Sequence, residues 1–295
     1  MAAFLRYGVR VIPTAESSPL VPDLPRVGML TALRRDLAEM IGEQVQYREL
    51  LFQMCMRDLR VRYKQSVMGF GWAIFMPLMN TVVFSLVFAR VAKIQTSVPY
   101  PLFAYCGLAA WNFFASSLRF SVISLTTNSQ LVTKVYFPRE IFPFASVLVS
   151  LVDFAVSSIV LLGMMAYYRV PLTPAVWFLP IVVVVQIAFT SGMSLLLAAG
   201  NLYYRDVKYL FEIIVVVWMF ATSVVYPINL IDGRLHLLMR LNPMTPIIDA
   251  YRSVLLRGEL PAAPSFTVAA VLSFVVLVAA WTVFHRAEFT FAETI

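Results

Sequence analysis

Long apolar stretches without a charged side chain dominate the sequence. No Asp, Glu, Lys or Arg occurs at positions 65–89, 94–118, 170–204 or 260–285. A helix that crosses a bilayer needs about 20 predominantly apolar residues. The pattern therefore predicts an all-α membrane protein with six transmembrane helices, near residues 69–90, 102–126, 144–167, 175–199, 210–226 and 266–284.

Basic residues are distributed unevenly among the connections between these predicted spans. The connections after spans two and four are basic, whereas the short connections after spans one and three carry only Arg90, Lys93 and Arg169. Because short cytoplasmic loops are enriched in Lys and Arg, we expect a multi-pass protein of the cytoplasmic (inner) membrane with both termini in the cytoplasm. The long connection before span six is also basic, but long loops determine topology only weakly.

The composition limits the classes of function. Hydrophobic residues make up 60% of the chain and charged residues 13%, with a mean hydropathy of +0.80, whereas soluble domains are about 25% charged. This excludes a soluble globular enzyme. We interpret the net charge of +7 as cytoplasmic loops held against anionic membrane lipids, with no nucleic-acid partner. Two cysteines and two histidines, far apart, predict no metal site.

The segment before the first span has the spacing of an amphipathic helix over residues 47–64. Its apolar side includes Phe52 and Leu59, and Asp58 can pair with Arg62, four residues on. Such a helix lies in the membrane interface. An ordinary soluble helix is the alternative, which the position directly before span one disfavours. The basic stripe beside the apolar side comprises Arg57, Arg60 and Lys64.

These features divide the chain into four parts. They are a cytoplasmic N-terminal extension (1–46), the interfacial helix (47–64), a six-span domain (65–286) and a cytoplasmic tail (287–295).

The long connection between spans five and six predicts short helices that do not cross the bilayer. One begins with Thr245 as its N-cap and Pro246 at its first position, and ends before Gly258. Re-entrant helices here would form a gate at the outer mouth of a conduit, and a loop resting on the headgroups is the alternative. The candidate gate residues are Leu238, Leu241, Pro243, Ile247 and Tyr251.

Two charged residues, Arg119 and Asp153, lie inside predicted spans two and three. Both are at a similar distance along the chain from Val135, the centre of the connecting loop, so an antiparallel hairpin places them at similar depth. We expect an intramembrane ion pair, because an unpaired charge in a membrane is costly. A structural pair is favoured over the alternative, a proton relay.

Motifs of known catalytic chemistry do not occur. The sequence has no GxxxxGK[ST], HExxH, CxxC or GxSxG, and therefore no P-loop that could hold ATP phosphates. A transport protein without its own energy source is a channel, a secondary carrier or the membrane half of a pump. A membrane-embedded glycosyl or acyl transferase is the alternative from another class, but it would need clustered acids or histidines.

A series of short motifs occurs along the chain. They are GLAAWNFF (107–114), LVTKVYFPRE (131–140) followed by Pro143, YRDVKY (204–209), VYP (225–227), LNPMTP (241–246) and RVRYKQSVMGFGW (60–72) followed by Pro77. In this order, over residues 47–286, they resemble the ABC-2 type permeases that export polysaccharides.

The resemblance implies a homodimer of six-span subunits with a channel at the interface. It implies a separate ABC ATPase subunit, two per complex, that binds ATP and Mg, so we expect no cofactor in this chain. The implied substrate is a lipid-linked glycan such as an O-antigen, a capsular polysaccharide or a teichoic acid. Export of a smaller lipid or a drug is the alternative within the same superfamily.

The resemblance also assigns roles to particular segments. The interfacial helix of the family corresponds to 47–64, its external re-entrant helices to 228–258 and its coupling loop to 127–143. Contact with the ATPase is then expected from Lys134, Tyr136, Phe137, Pro138, Arg139 and Glu140. A loop that only anchors the chain to the membrane surface is the alternative. The family lines its conduit with spans one and five, and sugars pack on aromatic rings. The candidate lining residues are Trp72, Phe75, Asn80, Phe84, Trp218 and Tyr226; an aromatic belt at the membrane surface is the alternative for each aromatic.

Overall fold

The computed structural model describes residues 29–64, 68–69, 71–91, 93, 96–134, 137–228, 239 and 242–294. The chain divides into two units, 1–39 and 40–295. α1 begins in the first unit, and all other features below belong to the second. The helices are α1 (Met29–Gln46), α2 (Arg48–Tyr63), α3 (Gly71–Phe84), α4 (Tyr100–Thr127), α5 (Ser129–Lys134), α6 (Ile141–Tyr167), α7 (Leu179–Tyr203), α8 (Val207–Phe220), α9 (Met244–Arg252) and α10 (Ala263–Thr294).

Three shorter helical turns complete the secondary structure. A π-helical turn follows α3 (Ser85–Val91) and another follows α9 (Ser253–Arg257), and a 3-10 helix precedes α7 (Pro174–Phe178). No strand occurs in the part of the chain that the structure describes. The prediction of an all-α protein is therefore confirmed.

Within the described residues, five helices are long and apolar enough to cross a membrane. They are Gly71–Ala89, Tyr100–Thr127, Ile141–Tyr167, Pro174–Tyr203 and Ala263–Glu288. The predicted fifth span, 210–226, overlaps α8, which has 14 residues and falls short of the usual length of a span, about 20 residues. The multi-pass prediction agrees with the structure, and the count of six spans is not confirmed.

α4 forms the centre of the apolar core. Phe114 is fully buried; its ring centroid lies 5.6 Å from that of Phe189 on α7 and 5.1 Å from that of Trp218 on α8. Such aromatic pairs add stabilisation beyond the burial of their surface. The aromatic residues of the WNFF motif thus bind three helices together.

A glycine allows α7 and α10 to approach closely. A Cβ atom at Gly192 would lie 2.9 Å from the backbone of Leu277, closer than the two helices could accommodate. Close backbone contact through small residues is a common way to join helices in membranes, where no hydrophobic effect drives them together.

α2 runs parallel to the first half of α6. The Cys55 thiol lies 3.8 Å from the carbonyl of Ala145, and eight residues later on α6 the Asp153 carboxylate meets Arg62. Contacts therefore advance together along both helices. The helix that sequence analysis assigned to the membrane interface reaches the middle of α6.

Two polar residues tie α9 to the end of α8. The Asn242 amide donates to the Thr222 hydroxyl at 2.7 Å and accepts from the Met244 backbone N–H at 3.2 Å. Arg252, fully buried, donates to the carbonyls of Ser223 and Val224. Because carbonyls at a helix end carry partial negative charge, these contacts provide the buried guanidinium with its counter-charge.

The predicted start of α9 is wrong by a short distance. The helix begins at Met244, one residue before Thr245, and Asn242 supplies the capping oxygen. The predicted end is confirmed, because Gly258 follows the last turn with φ 71°, a conformation that glycine adopts without strain.

We call the side of the helices that carries α5 the α5 end, and the opposite side the α9 end.

Candidate transport site

A cavity of about 320 Å³ lies between α3, α4 and α6. Polar side chains from all three helices form much of its wall, although the helices themselves are apolar. They are Asn80, Asn112, Ser116, Arg119, Ser150, Asp153 and Ser157. Polar and ionisable groups within apolar helices face protein or water, not lipid. The cavity therefore has the properties of a hydrated path.

A polar stripe on α4 continues from this cavity toward the α5 end. Its members are spaced by three or four residues, which keeps them on one face of the helix. Most of the remaining surface of α4 is buried, so this stripe is the open side of the helix. The stripe consists of Asn112, Ser116, Arg119, Thr126 and the adjacent Thr127, with the apolar Ile123 among them, and Ile123, Thr126 and Thr127 line a second cavity.

The structure corrects the predicted pairing of Arg119 with Asp153. Arg119 instead holds Glu212 of α8 in a two-pronged contact, with Nε to Oε1 at 2.8 Å and an Nη to Oε2 at 3.1 Å. The depth argument placed both residues on one cavity wall correctly, but it did not consider an acid from α8. Both side chains of the pair are about half exposed.

Asp153 pairs with α2. Its carboxylate accepts from the Arg62 guanidinium and from the Tyr63 hydroxyl. Burial, followed by the bond to Asp153, raises the pKa of Tyr63 to about 12, so this hydroxyl stays neutral and donates. The predicted Asp58–Arg62 pair is also wrong, because Asp58 contacts Arg57 at 2.8 Å.

The guanidinium of Arg62 also stacks on an aromatic ring. Its central carbon lies 3.8 Å from the centroid of Phe120 on α4, a cation–π geometry. One side chain of α2 therefore contacts both α4 and α6, the two helices that line the polar cavity.

The predicted channel residues fall into two groups. Trp72, Phe75 and Asn80 are exposed on α3, and Trp72 and Asn80 line the polar cavity. Phe84, Trp218 and Tyr226 are partly buried and pack against the core. The first group is placed where a conduit could use it, and the second stabilises the subunit. Their roles as lining stay predictions.

Two of the three predicted gate residues that the structure describes belong to the core. Ile247 is fully buried and Tyr251 is 2% exposed, with the Tyr251 ring 5.8 Å from that of Phe154 on α6. Pro243 is half-buried at the start of α9. Leu238 and Leu241 lie outside the described residues.

Comparisons with known proteins identify the family. The profile of the ABC-2 type transporter family matches residues 49–256. The chain belongs to the ABC-2 type transporter family. A protein of Myxococcus xanthus named O-antigen export system permease protein RfbA is 32% identical over 88% of this chain and 100% of that protein. Two Klebsiella pneumoniae proteins of the same name are 28% and 27% identical over 83% of this chain and 94% of their own lengths.

The segment that this ABC-2 transporter was expected to use for coupling packs inward. Phe137 is 4% exposed, Pro138 is buried and Glu140 is 1% exposed. Arg139 is half-buried and donates to the carbonyl of Glu288 at the end of α10. Tyr136 and the Lys134 side chain lie outside the described residues. The described side chains therefore hold the segment in position, and direct contact with an ATPase stays a prediction.

A cluster of ionisable groups fastens this segment to α10. The Nδ1 atom of His285 lies 3.0 Å from Oε1 of Glu140, and ligand atoms of Glu140, His285 and Glu288 all lie within 4.8 Å of one another. This spacing could hold a metal ion or let the three groups share protons. Sequence analysis assigned no role to His285, because Glu140 is 145 residues away.

The interfacial-helix residues divide by position on α2. Phe52 is 59% exposed, and Arg60 and Lys64 are also exposed. Leu59 packs toward α6 with Cys55, and Arg57 is half-buried. The side toward α6 therefore combines apolar residues with Arg62 and Tyr63, and the outer side carries Arg60 and Lys64 together with the apolar Phe52 and Val61. The role of α2 as an interfacial helix stays a prediction.

Sequence reasoning missed three residues that organise the site: Glu212, Asn242 and Arg252. Glu212 carried a signal, because it is an acid within a predicted span and such residues need a partner. Asn242 carried a weaker signal, since Asn before a helix is a preferred cap. Arg252 carried none, because nothing in the sequence shows that an arginine is neutralised by backbone carbonyls.

Proposed function

We propose that this chain is the membrane-spanning permease subunit of an ATP-driven exporter that moves a lipid-linked polysaccharide, similar to an O-antigen, across the cytoplasmic membrane. The observation that carries the proposal is the match to ABC-2 transporters and to O-antigen export permeases over most of the chain. The polar cavity between α3, α4 and α6 supports it, since a glycan needs a hydrated path through an apolar layer.

The energy source is a separate ABC ATPase, two copies per complex, which binds ATP and Mg²⁺. The missing P-loop motif supports this division of labour. The chain itself then serves transport and holds no cofactor. The basic α5 end, with Arg205 and Lys208, faces the cytoplasm, and both termini lie on the cytoplasmic side. The charge bias of cytoplasmic loops supports this orientation.

A second copy of the chain completes the conduit. α3 and α8 leave large apolar side chains uncovered, including Met76 at 55% and Ile213 at 66% exposure. The half-exposed Arg119–Glu212 pair lies between these helices and would be costly against lipid. A homodimer that encloses this pair and the polar cavity gives the charges water and gives the apolar faces a partner.

Movement of the ATPase reaches the spans through the segment 127–143. α5 lies in this segment, and the bond of Arg139 to the Glu288 carbonyl and the contact of Glu140 with His285 fasten it to α10. A fastened segment transmits a rigid-body shift to α4, α6 and α10 together, whereas a flexible tether would absorb it.

A genetic and biochemical experiment tests the proposal. Cells that make the glycan but lack this chain should retain it inside, and the wild-type chain should restore it at the surface. The matched control is the wild-type chain with an ATPase partner whose P-loop lysine is replaced. Mass spectrometry of the purified complex should detect co-purified lipid-linked sugar. Unchanged surface glycan in cells that lack the chain would overturn the proposal.

A further inference from the structure

A second cavity, of about 530 Å³, lies at the α5 end, where α4 and α7 end and α5 and α8 begin. Ile123 and Leu202 give it an apolar side, and its other wall residues are polar or basic. The polar stripe of α4 leads from this cavity to the Arg119 cavity. Transport of a glycan through the Arg119 cavity does not by itself explain this second cavity.

Two cationic side chains dominate its charge. Arg205 and Lys208 both line the wall, and neither forms an ion pair with an acid among the described residues. Asp206 lies between them in sequence but is not part of the wall, and Glu212, one turn beyond Lys208, is held by Arg119. The amino end of α8, which begins at Val207, adds partial positive charge.

Neutral polar groups stand beside these charges. The side chain of Asn201 is 2% exposed, lines the cavity and has an Oδ1 atom without a hydrogen-bond partner. A buried amide without a partner is costly, and an amide can turn either its oxygen or its NH₂ toward a ligand. The hydroxyls of Thr127 and Ser129 complete the polar wall. This wall supplies donors to an oxygen-rich anion.

We propose that this cavity binds a phosphate group carried by an amphiphile, with Arg205 and Lys208 neutralising the phosphate and Asn201 donating to it. Ile123 and Leu202 provide the apolar contact for the lipid part. The proposal rests on the proposed function, because it assigns the head of a lipid-linked molecule to the cytoplasmic end of the path. A lipid-linked glycan with a phosphate linkage and an anionic bilayer lipid share this chemistry.

The test uses the full chain in nanodiscs of neutral phosphatidylcholine and inorganic pyrophosphate as the probe. Isothermal titration calorimetry should detect saturable binding to the wild-type chain. Arg205→Gln with Lys208→Gln should weaken it at least about tenfold, since each charge-assisted contact contributes strongly. The matched control, Lys93→Gln with Arg169→Gln, removes the same charge from connections predicted to face the opposite side and should bind like the wild type.

Two further arms identify the natural source. If phosphatidylglycerol in the nanodisc displaces pyrophosphate from the wild-type chain, a bilayer lipid headgroup occupies the cavity. If pyrophosphate still binds in nanodiscs that contain phosphatidylglycerol, and lipid-linked glycan extracted from the producing cell displaces it, the substrate occupies the cavity. Either displacement should be lost in the Arg205→Gln, Lys208→Gln variant, and both results support the phosphate site.

Three results would overturn the site. The first is no saturable binding of pyrophosphate by the wild type. The second is equal affinity in the wild type and in the Arg205→Gln, Lys208→Gln variant. The third is a variant that no longer co-purifies with the ATPase but binds pyrophosphate unchanged, which would mean that the two cations contact the partner protein. Wild-type glycan export without pyrophosphate binding overturns the site alone. Absence of wild-type export overturns the proposed function.

Discussion

Two ion pairs within this subunit differ in the exposed fraction of their side chains. The side chains of Arg62 and Asp153 are 18% and 19% exposed, whereas those of Arg119 and Glu212 are 48% and 49% exposed. Both pairs join different helices and both involve a charged residue of an apolar helix. Burial, and not the type of residue, therefore separates them.

The closed pair is surrounded by its own partners. Phe120 covers one face of the Arg62 guanidinium, and Tyr63 donates to the carboxylate of Asp153. The open pair has two hydrogen bonds within itself and uncovered apolar side chains of α8 around it. The first pair fastens α2 to α6, and the second requires a hydrated or polar neighbour.

Removal of the Asp153 carboxylate should have the largest effect on stability. Asp153→Leu leaves the largely enclosed Arg62 without its counter-charge, which should lower the free energy of unfolding by about 3 kcal/mol. Arg62→Leu combined with Asp153→Leu should recover about half of this loss, because replacement of both partners by apolar residues is often neutral. Denaturant titration in detergent micelles, followed by helicity, measures both.

The matched control for that experiment exchanges the partner. Arg119→Leu combined with Asp153→Leu should recover nothing, because Arg119 is bonded to Glu212. Recovery by this combination, in place of the one with Arg62→Leu, would contradict the pairing in the structure.

Thiol labelling should distinguish the two pairs by their access to water. Glu212→Cys should react with a water-soluble maleimide at least about tenfold faster than Asp153→Cys, because reactivity follows exposure of the thiolate. The unsubstituted chain is the control. Its background should be low, since burial raises the pKa of Cys55 to about 11 and Cys106 is 2% exposed. Equal labelling rates at the two positions would contradict the difference in exposure between the two pairs.

Loss of the tyrosine donor should have a smaller effect on the closed pair. Tyr63→Phe removes one of the two donors to Asp153 and should lower the free energy of unfolding by about 1 kcal/mol. The control Tyr167→Phe, at an 81% exposed position, should change it by less than about 0.5 kcal/mol. An equal change in both variants would mean that the Tyr63 hydroxyl does not support the pair.

The open pair should contribute least to stability. Glu212→Gln should lower the free energy of unfolding by about 0.5 kcal/mol, because half-exposed ion pairs gain little over their hydrated state. At about 1 M salt the variant and the wild type should converge, since the charges are then screened. A loss as large as that of Asp153→Leu would show that the two pairs are equally closed.

The long helices of the fold could be predicted because hydropathy and charge along the chain are sufficient to locate them. Charge-free stretches near the length of a span identified four of the five long helices, and the apolar composition of α6 identified the fifth in spite of Asp153. Among the predicted spans, only the one that overlaps α8 is too short in the structure. α8 ends at Phe220, and Asn242 and Arg252 bind the turn that follows it. Such contacts between distant residues have no signature in a local hydropathy pattern.

The partners within the site were less predictable. The depth argument placed Arg119 and Asp153 on the same cavity wall, but depth does not specify which neighbouring helix supplies the opposite charge. The polar stripe on α4 has helical spacing from Asn112 to Thr127, but sequence analysis singled out only Arg119 from it. Long-range contacts such as His285 with Glu140 need the packed structure, because 145 residues separate them.

The early end of α8 has a consequence for the surrounding bilayer. A helix of 14 residues rises about 21 Å, whereas the hydrocarbon core of a typical bilayer is about 30 Å thick. Arg252 and Asn242 occupy carbonyls at residues 221–224 that a longer helix would use for its next turn. Protein from the turn and from α9 therefore replaces acyl chains over the remaining depth. We expect the bilayer beside the α9 end to need little local thinning, although α8 alone is too short to cross it.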